Sequence, residues 1–308
     1  MRFFAVFLAV VGALAGMVWA GPKKVVATTG MIADTARNIA GERATVTALM
    51  GEGVDPHLYK ATPGDMRLLA DADLILYNGL HLEGRLGDVL VRMARRVPTV
   101  QVTDTIPEDL LHEPPEFAGH YDPHVWFDVR LWKIVAGRIA AALSEVDPEG
   151  RDHYRSRLEE YSRTLDELHR WAGERFASIP PERRVLVTAH DAFGYLGSAY
   201  GLRVMAIQGI STDSEASIKD INHLVDTVVG LKVPAVFVET SVPRKTIEAL
   251  VEGARARGHR LIIGGELFSD ALGRAGTPEG TYVGMIRHNV NTIVSALSGV
   301  EPPPGSAR

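Results

Sequence analysis

The chain has 308 residues, 46% hydrophobic and 23% charged, the balance of a soluble globular protein long enough for about two domains. A net charge of −5 offers no basic footprint, so nucleic acid is not an expected partner. With no cysteine, disulfides and thiolate metal sites are excluded, and His, Asp and Glu are left as the metal ligands.

Residues 1–20 read as a secretory signal. Arg2 supplies the positive end, Phe3 to Val18 is an apolar run, and Val18-Trp19-Ala20 has the form of a cleavage site. The run is short for a membrane span, which favours removal over retention as an anchor, and no cysteine follows to accept a lipid. The mature chain is expected to begin near Gly21 as a soluble, exported protein. No other stretch is apolar for long enough to cross a membrane.

From there strands and helices alternate. Lys24 to Thr29 is a buried strand, Met31 to Ile39 a helix, and Arg43 to Met50 a strand broken by Gly51-Glu52-Gly53. Thr62 caps the next helix, with Pro63 at its first position and Asp65 in its first turn. Asp73 to Tyr77 is a strand, Leu82 to Val97 a helix, and Thr99 to Val102 a strand. After a loop from Pro107 to Asp122, Asp128 caps a helix to about Leu143.

Asp147-Pro148-Glu149 then opens a helix reaching about Ile179, with Asp147 as its N-cap, Pro148 at its first position, and Tyr154, Leu158, Tyr161, Leu165, Leu168 and Ala172 along one face. About thirty residues at 1.5 Å each give a rod of about 45 Å, long enough to join two domains. A long packing helix within one domain is the alternative. Pro180-Pro181 ends it.

A second alternating half follows, with strands at Arg184 to Ala189, Leu202 to Ile207, Ala235 to Glu239 and Arg260 to Ile263, a loop from Gly264 to Asp270, and a last helix from Tyr282 to Ser298. Residues 301–308 form a proline-rich tail expected to be disordered. The fold class is therefore α/β, two lobes, each a mainly parallel sheet flanked by helices, joined by one long rigid helix. The expected division is a signal over 1–20, lobes over 21–147 and 180–300, and a linking helix over 148–179.

One tripeptide occurs twice, as Asp55-Pro56-His57 and as Asp122-Pro123-His124. Histidine is the commonest metal ligand, and proline stiffens the backbone that carries it. In open α/β sheets ligands sit beyond the C-terminal ends of the strands. His57, His190 and Asp270 follow strands, and His124 lies in a loop that enters a helix. Three imidazoles and a carboxylate make a shell for a divalent transition metal at the interface of the halves. Each has a competing reading. The tripeptide could recur by chance, and His190 could be a hydrogen-bonded core histidine. Asp270 also suits a helix cap, and Glu239 and Glu266 are its rivals at strand ends. Asp55, Asp122 and Asp191 adjoin the three histidines and could hold their rings, as carboxylates do in metal sites. His112 and His120 are expected on a mobile surface loop.

Five stretches carry a resemblance. They are Gly53-Val54-Asp55-Pro56-His57, Asp122-Pro123-His124-Val125-Trp126, Thr188 through Tyr195, Gly209 through Ala216, and Leu267-Phe268-Ser269-Asp270. In this order they resemble the periplasmic metal-binding proteins of ABC importers, the TroA/ZnuA-like cluster A-I solute-binding family. The resemblance covers nearly all of the chain after the signal. It implies metal ligands at His57, His124, His190 and Asp270, two lobes on one long helix with little movement on binding, and residence in the periplasm. The implied partners are the divalent ion itself and an ABC permease with its ATPase; a monomer is expected.

The implied cargo is Mn2+ or Zn2+. Manganese-type members often carry Glu at the position of His190, so the third imidazole here suits zinc. Against that, Gly209 through Ala216 looks like the manganese and iron branch, and the long histidine-rich loop of many zinc members is absent. Manganese is the slightly better match for transport. The alternative class is a secreted zinc hydrolase, but four protein ligands would close the site to water and there is no H-E-x-x-H. No P-loop is present either, and no G-x-G-x-x-G opens a helix after the first strand, so ATP hydrolysis and dinucleotide chemistry are not expected of this chain.

Overall fold

The computed structural model describes residues 21–117 and 119–298; the expected signal and the proline-rich tail lie outside them. The first lobe contains β1 (Lys23–Ala27), α1 (Gly30–Ala40), β2 (Ala44–Ala48), α2 (Pro63–Ala70), β3 (Leu74–Tyr77), α3 (Gly87–Met93) and β4 (Thr99–Gln101). Its sheet has the order β2-β1-β3-β4, all parallel, with Val25 opposite both Val46 and Leu74. Both faces are covered, as a parallel sheet requires. Side chains alternate across a strand, so Val25 and Ala27 enter one apolar cluster and Val26 another.

The second lobe repeats this plan with β5 (Val185–His190), α6 (Gly194–Tyr200), β6 (Arg203–Gln208), α7 (Ile218–Gly230), β7 (Ala235–Glu239), α8 (Lys245–Ala256), β8 (Ile262–Leu267) and α9 (Tyr282–Leu297). β5 pairs with β6 and β7 with β8, both parallel, and β5 lies beside β7. Leu186, Ala235 and Phe237 face the same core as Val25, whereas Val187, Val236 and Val238 face α7 and α8.

Between the lobes run α4 (Val129–Val146) and the 27-residue α5 (Arg151–Ala177). At 1.5 Å per residue α5 is about 40 Å long. Tyr154, Tyr161, Leu165, Leu168, Ala172 and Phe176 are its buried stripe, packed on α1, α4 and α9. One apolar cluster runs from Val25 in the first lobe through α4 and α5 to Val290 in α9. The helix is therefore no bare rod, because both lobes share a core along it.

Three local expectations change. Asp147 does not cap the long helix; its carboxylate takes Nε and Nη2 of Arg43 at 2.7 and 2.9 Å and the hydroxyl of Tyr154 at 2.5 Å. The first turn, Pro148–Gly150, is 3-10 instead. The expected helix from Leu82 to Val97 is only a 3-10 turn at Gly84–Leu86 followed by α3. There Glu83 is turned inward to accept the N–H groups of Asn78 and Gly79 at 2.6 and 3.0 Å. The preceding Leu80 and His81 take left-handed φ of 52° and 65°. Finally, Gly264-Gly265 is strand and not loop. Gly265 has φ +151°, the ladder shifts register between Val236 and Phe237, and a Cβ on Gly265 would lie 2.4 Å from Thr292 in α9. Glycine marks a bulge and a close approach here, as it often does within strands.

Candidate metal centre

The two Asp-Pro-His tripeptides share one device. Oδ1 of Asp55 accepts the backbone N–H of His57 at 2.9 Å, and Oδ1 of Asp122 accepts that of His124 at 2.9 Å. Each aspartate thus closes a turn over the proline and presents the imidazole from a fixed backbone. The turns then diverge. Asp122 Oδ1 also takes Nδ1 of His124 at 2.7 Å, whereas Asp55 Oδ2 accepts the hydroxyl of Thr212 at 2.6 Å.

His190 is the last residue of β5, not the first after it. Glu239 ends the neighbouring β7, and its Oε1 accepts the N–H groups of Ala189 and His190 at 2.8 and 2.9 Å. Its Oε2 faces Nδ1 of His190. The carboxylate holding this ring is therefore Glu239 and not Asp191, because the two ring nitrogens of His190 face Glu239 and Asp270. Asp270 follows β8. Ser241 donates to its Oδ2 at 3.1 Å, and Nε1 of Trp126 crosses from the first lobe to the carbonyl of Ser269 at 2.9 Å.

The fold brings His57, His124, His190 and Asp270 together, all buried, with one possible ligand atom from each lying within 4.8 Å of the others. Nε2 of His57 is 3.4 Å from Nε2 of His124, which is 3.4 Å from Asp270 Oδ1; Nε2 of His190 is 3.3 Å from Asp270 Oδ2. Donors about 2.1 Å from a tetrahedral cation stand about 3.4 Å apart, so these neighbours are spaced to share an ion. His190 Nε2 and Asp270 Oδ1 have no hydrogen-bond partner among the described residues although fully buried. Buried polar atoms are rarely left so without a ligand to meet them.

Burial pushes His57 down to about 3. Burial works the same way on His124, but Asp122 and Asp270 outweigh it and carry the ring up to about 9. Against burial, Glu239 and Asp270 hold His190 well above the usual histidine value. Burial also opposes ionisation of Asp270, yet His190 and His124 hold it well below the usual carboxylate range. These shifts favour protons on His124 and His190 beside the buried carboxylates, and a cation at the same centre would displace them.

The other histidines sit elsewhere. Glu266, a rival for Asp270, is exposed and 4.0 Å from Arg244. His112 stacks on Tyr195 with ring centres 4.1 Å apart, and His120 packs edge-on to His81 at 4.3 Å. His81 and His120 line a separate cavity of about 640 Å³ beside Tyr77, Leu90 and Gln101. Sequence reasoning missed Thr212 and Asn78, whose Nδ2 holds the carbonyl of Pro123 at 3.1 Å. Thr212 lies within a singled-out stretch; nothing local in the sequence marks Asn78.

A model of the family described as ZnuA, zinc-uptake complex component A, periplasmic, matches residues 25–296. The chain belongs to the ZnuA family. It is 50% identical over 280 residues to the zinc-binding protein TroA of Treponema pallidum (strain Nichols), covering 90% of each chain. It is 48% identical over 274 residues to the manganese-binding lipoprotein MntA of Bacillus subtilis (strain 168), covering 89% of each. The solved periplasmic zinc binding protein TroA from Treponema pallidum superposes with a TM-score of 0.88 at 49% identity, over 90% of this chain and 100% of that one. The two-lobed ZnuA-family architecture therefore accounts for nearly the whole described chain.

Proposed function

We propose that this chain captures a divalent transition metal ion, manganese or zinc, outside the cytoplasm and hands it to an ABC permease whose ATPase drives uptake. The carrying observation is the buried set of three imidazoles and one carboxylate, His57, His124, His190 and Asp270, which this reading takes as the ligands. The names of its relatives support the same reading, since TroA is named for zinc and MntA for manganese. Zinc binds such sites more tightly than manganese, so supply and the permease would decide which is carried.

In this reading the chain is a carrier and does no chemistry on its cargo. Four protein donors complete a tetrahedral shell, whereas catalytic zinc keeps a position for water. The adjacent carboxylates Asp122 and Glu239 are engaged by imidazoles and do not stand free as a base. Lobes over 21–147 and 180–300, a linking helix over 148–179, export by a cleaved segment 1–20 and action as a periplasmic monomer belong to the same proposal. No helix among the described residues is long and apolar enough to cross a membrane.

Titration of metal-stripped protein with Mn2+ and Zn2+ tests it. Both should bind one ion per chain, and His124→Ala should abolish tight loading while the circular dichroism spectrum is kept. Unchanged affinity in that variant would overturn the ligand assignment.

A further inference from the structure

Of the four central residues His57 is the most exposed, 5% against 0% for His124 and His190 and 2% for Asp270. The side of the centre nearest solvent is therefore that of His57. Residues 209–217, joining β6 to α7 in the second lobe, reach the first lobe next to the His57 turn and are tied to it at two adjacent positions. Thr212, 9% exposed, donates to Asp55 Oδ2 at 2.6 Å. Asp213 Oδ1 accepts from Nη2 of Arg85 at 2.8 Å. Asp55 is also the residue whose other oxygen closes the His57 turn. One carboxylate thus joins the outermost ligand to a loop of the opposite lobe.

We propose that Thr212 and Asp213 form a latch that sets the rate at which the metal leaves, acting through Asp55 and Arg85 and touching no metal. The proposal rests on the metal-binding reading above. The shared core along α5 makes a wide parting of the lobes costly, whereas the latch is held by two polar contacts near the surface. Opening the 209–217 loop bares His57 without moving β5, β7 or the Asp270 loop. It also pulls on Asp55, so an open loop leaves the His57 turn with a freed oxygen. The two contacts differ in kind. The Thr212 bond is partly buried and insensitive to salt, while the Arg85–Asp213 pair, with side chains 46% and 59% exposed, is screened by it.

The test is zinc release from the loaded full-length chain on mixing with excess chelator, followed by stopped flow. Thr212→Val should speed release about tenfold, the loss of one hydrogen bond to a charged group, and Thr212→Ser should release at the wild-type rate. Arg85→Gln and Asp213→Asn should each speed release about threefold at low salt, the double variant no more than either. The difference from wild type should vanish near 1 M salt, where the screening length is about 3 Å. A purely structural role would not produce that salt dependence or the rescue by serine. A loaded chain whose T212V, R85Q and D213N variants all release at the wild-type rate overturns the latch alone. A wild-type chain that takes up no zinc overturns the metal reading, and the latch with it. If T212V does not fold, the two surface variants decide.

Discussion

Glu239 holds His190 and the strand end that carries it at three points. One carboxylate oxygen takes the backbone N–H groups of Ala189 and His190, and the other faces Nδ1 of the ring. The strand end and the imidazole are therefore fixed by one buried residue on the neighbouring strand. Removing the charge while keeping the shape should show what it contributes. Glu239→Gln is expected to weaken zinc binding about 10- to 100-fold, the usual cost of losing a carboxylate behind a ligating histidine. Competition titration against a chelating dye measures it, and wild-type affinity in the variant would mean that Glu239 only supports the backbone.

Metal loading should depend on pH with a defined sign. In the metal-free protein Asp122 and Asp270 hold His124 up at about 9, which favours its protonated form at neutral pH, and Glu239 and Asp270 shift His190 the same way. A cation needs the bare nitrogens. Affinity should therefore rise with pH, by about tenfold per unit for each proton displaced, with the His124 proton contributing up to about pH 9. Isothermal titration in buffers of different ionisation heat counts the protons released; zero release at pH 7 would contradict the protonated centre.

The same shift predicts the stability of the metal-free chain. A histidine raised from 6.5 to about 9 on folding contributes stability that is fully present below pH 6.5 and lost as pH climbs to about 9. His57, lowered to about 3, acts oppositely, and its contribution is lost as pH falls below 6.5. Metal-free melting temperature is thus expected to decline on both sides of about pH 6.5, and metal should flatten the alkaline limb. Scanning calorimetry across pH 4 to 10, with and without Zn2+, checks this; an alkaline limb unaffected by metal would count against it.

Leu165 is fully buried on α5 in the core common to both lobes. Leu165→Ala should cost about 2–5 kcal/mol, and because the core is shared it should lower one calorimetric transition, not split it. Two resolved transitions would show that the lobes unfold independently.

Much of this protein is determined by local sequence. The alternating strands and helices, the capping box at Thr62 and Asp65, the Asp128 cap and the buried stripe of α5 are each set by residues within a few positions of one another. The two Asp-Pro-His turns are local in the same way, because the aspartate reaches the N–H two residues on.

Only the tertiary structure decided what long-range contacts control. Asp147 leaves its expected cap for Arg43, 104 residues away, since a two-pronged ion pair outweighs one cap bond. Glu239 and not Asp191 supports His190, because strand order puts β7 beside β5 and alternation sends Glu239 toward the ring. Asp270 prevails over Glu266 because the residue at 266 faces solvent while the chain beyond β8 turns inward under Trp126. Sequence spacing names the candidate donors; which carboxylate reaches which imidazole depends on how two sheets are laid against one shared helix.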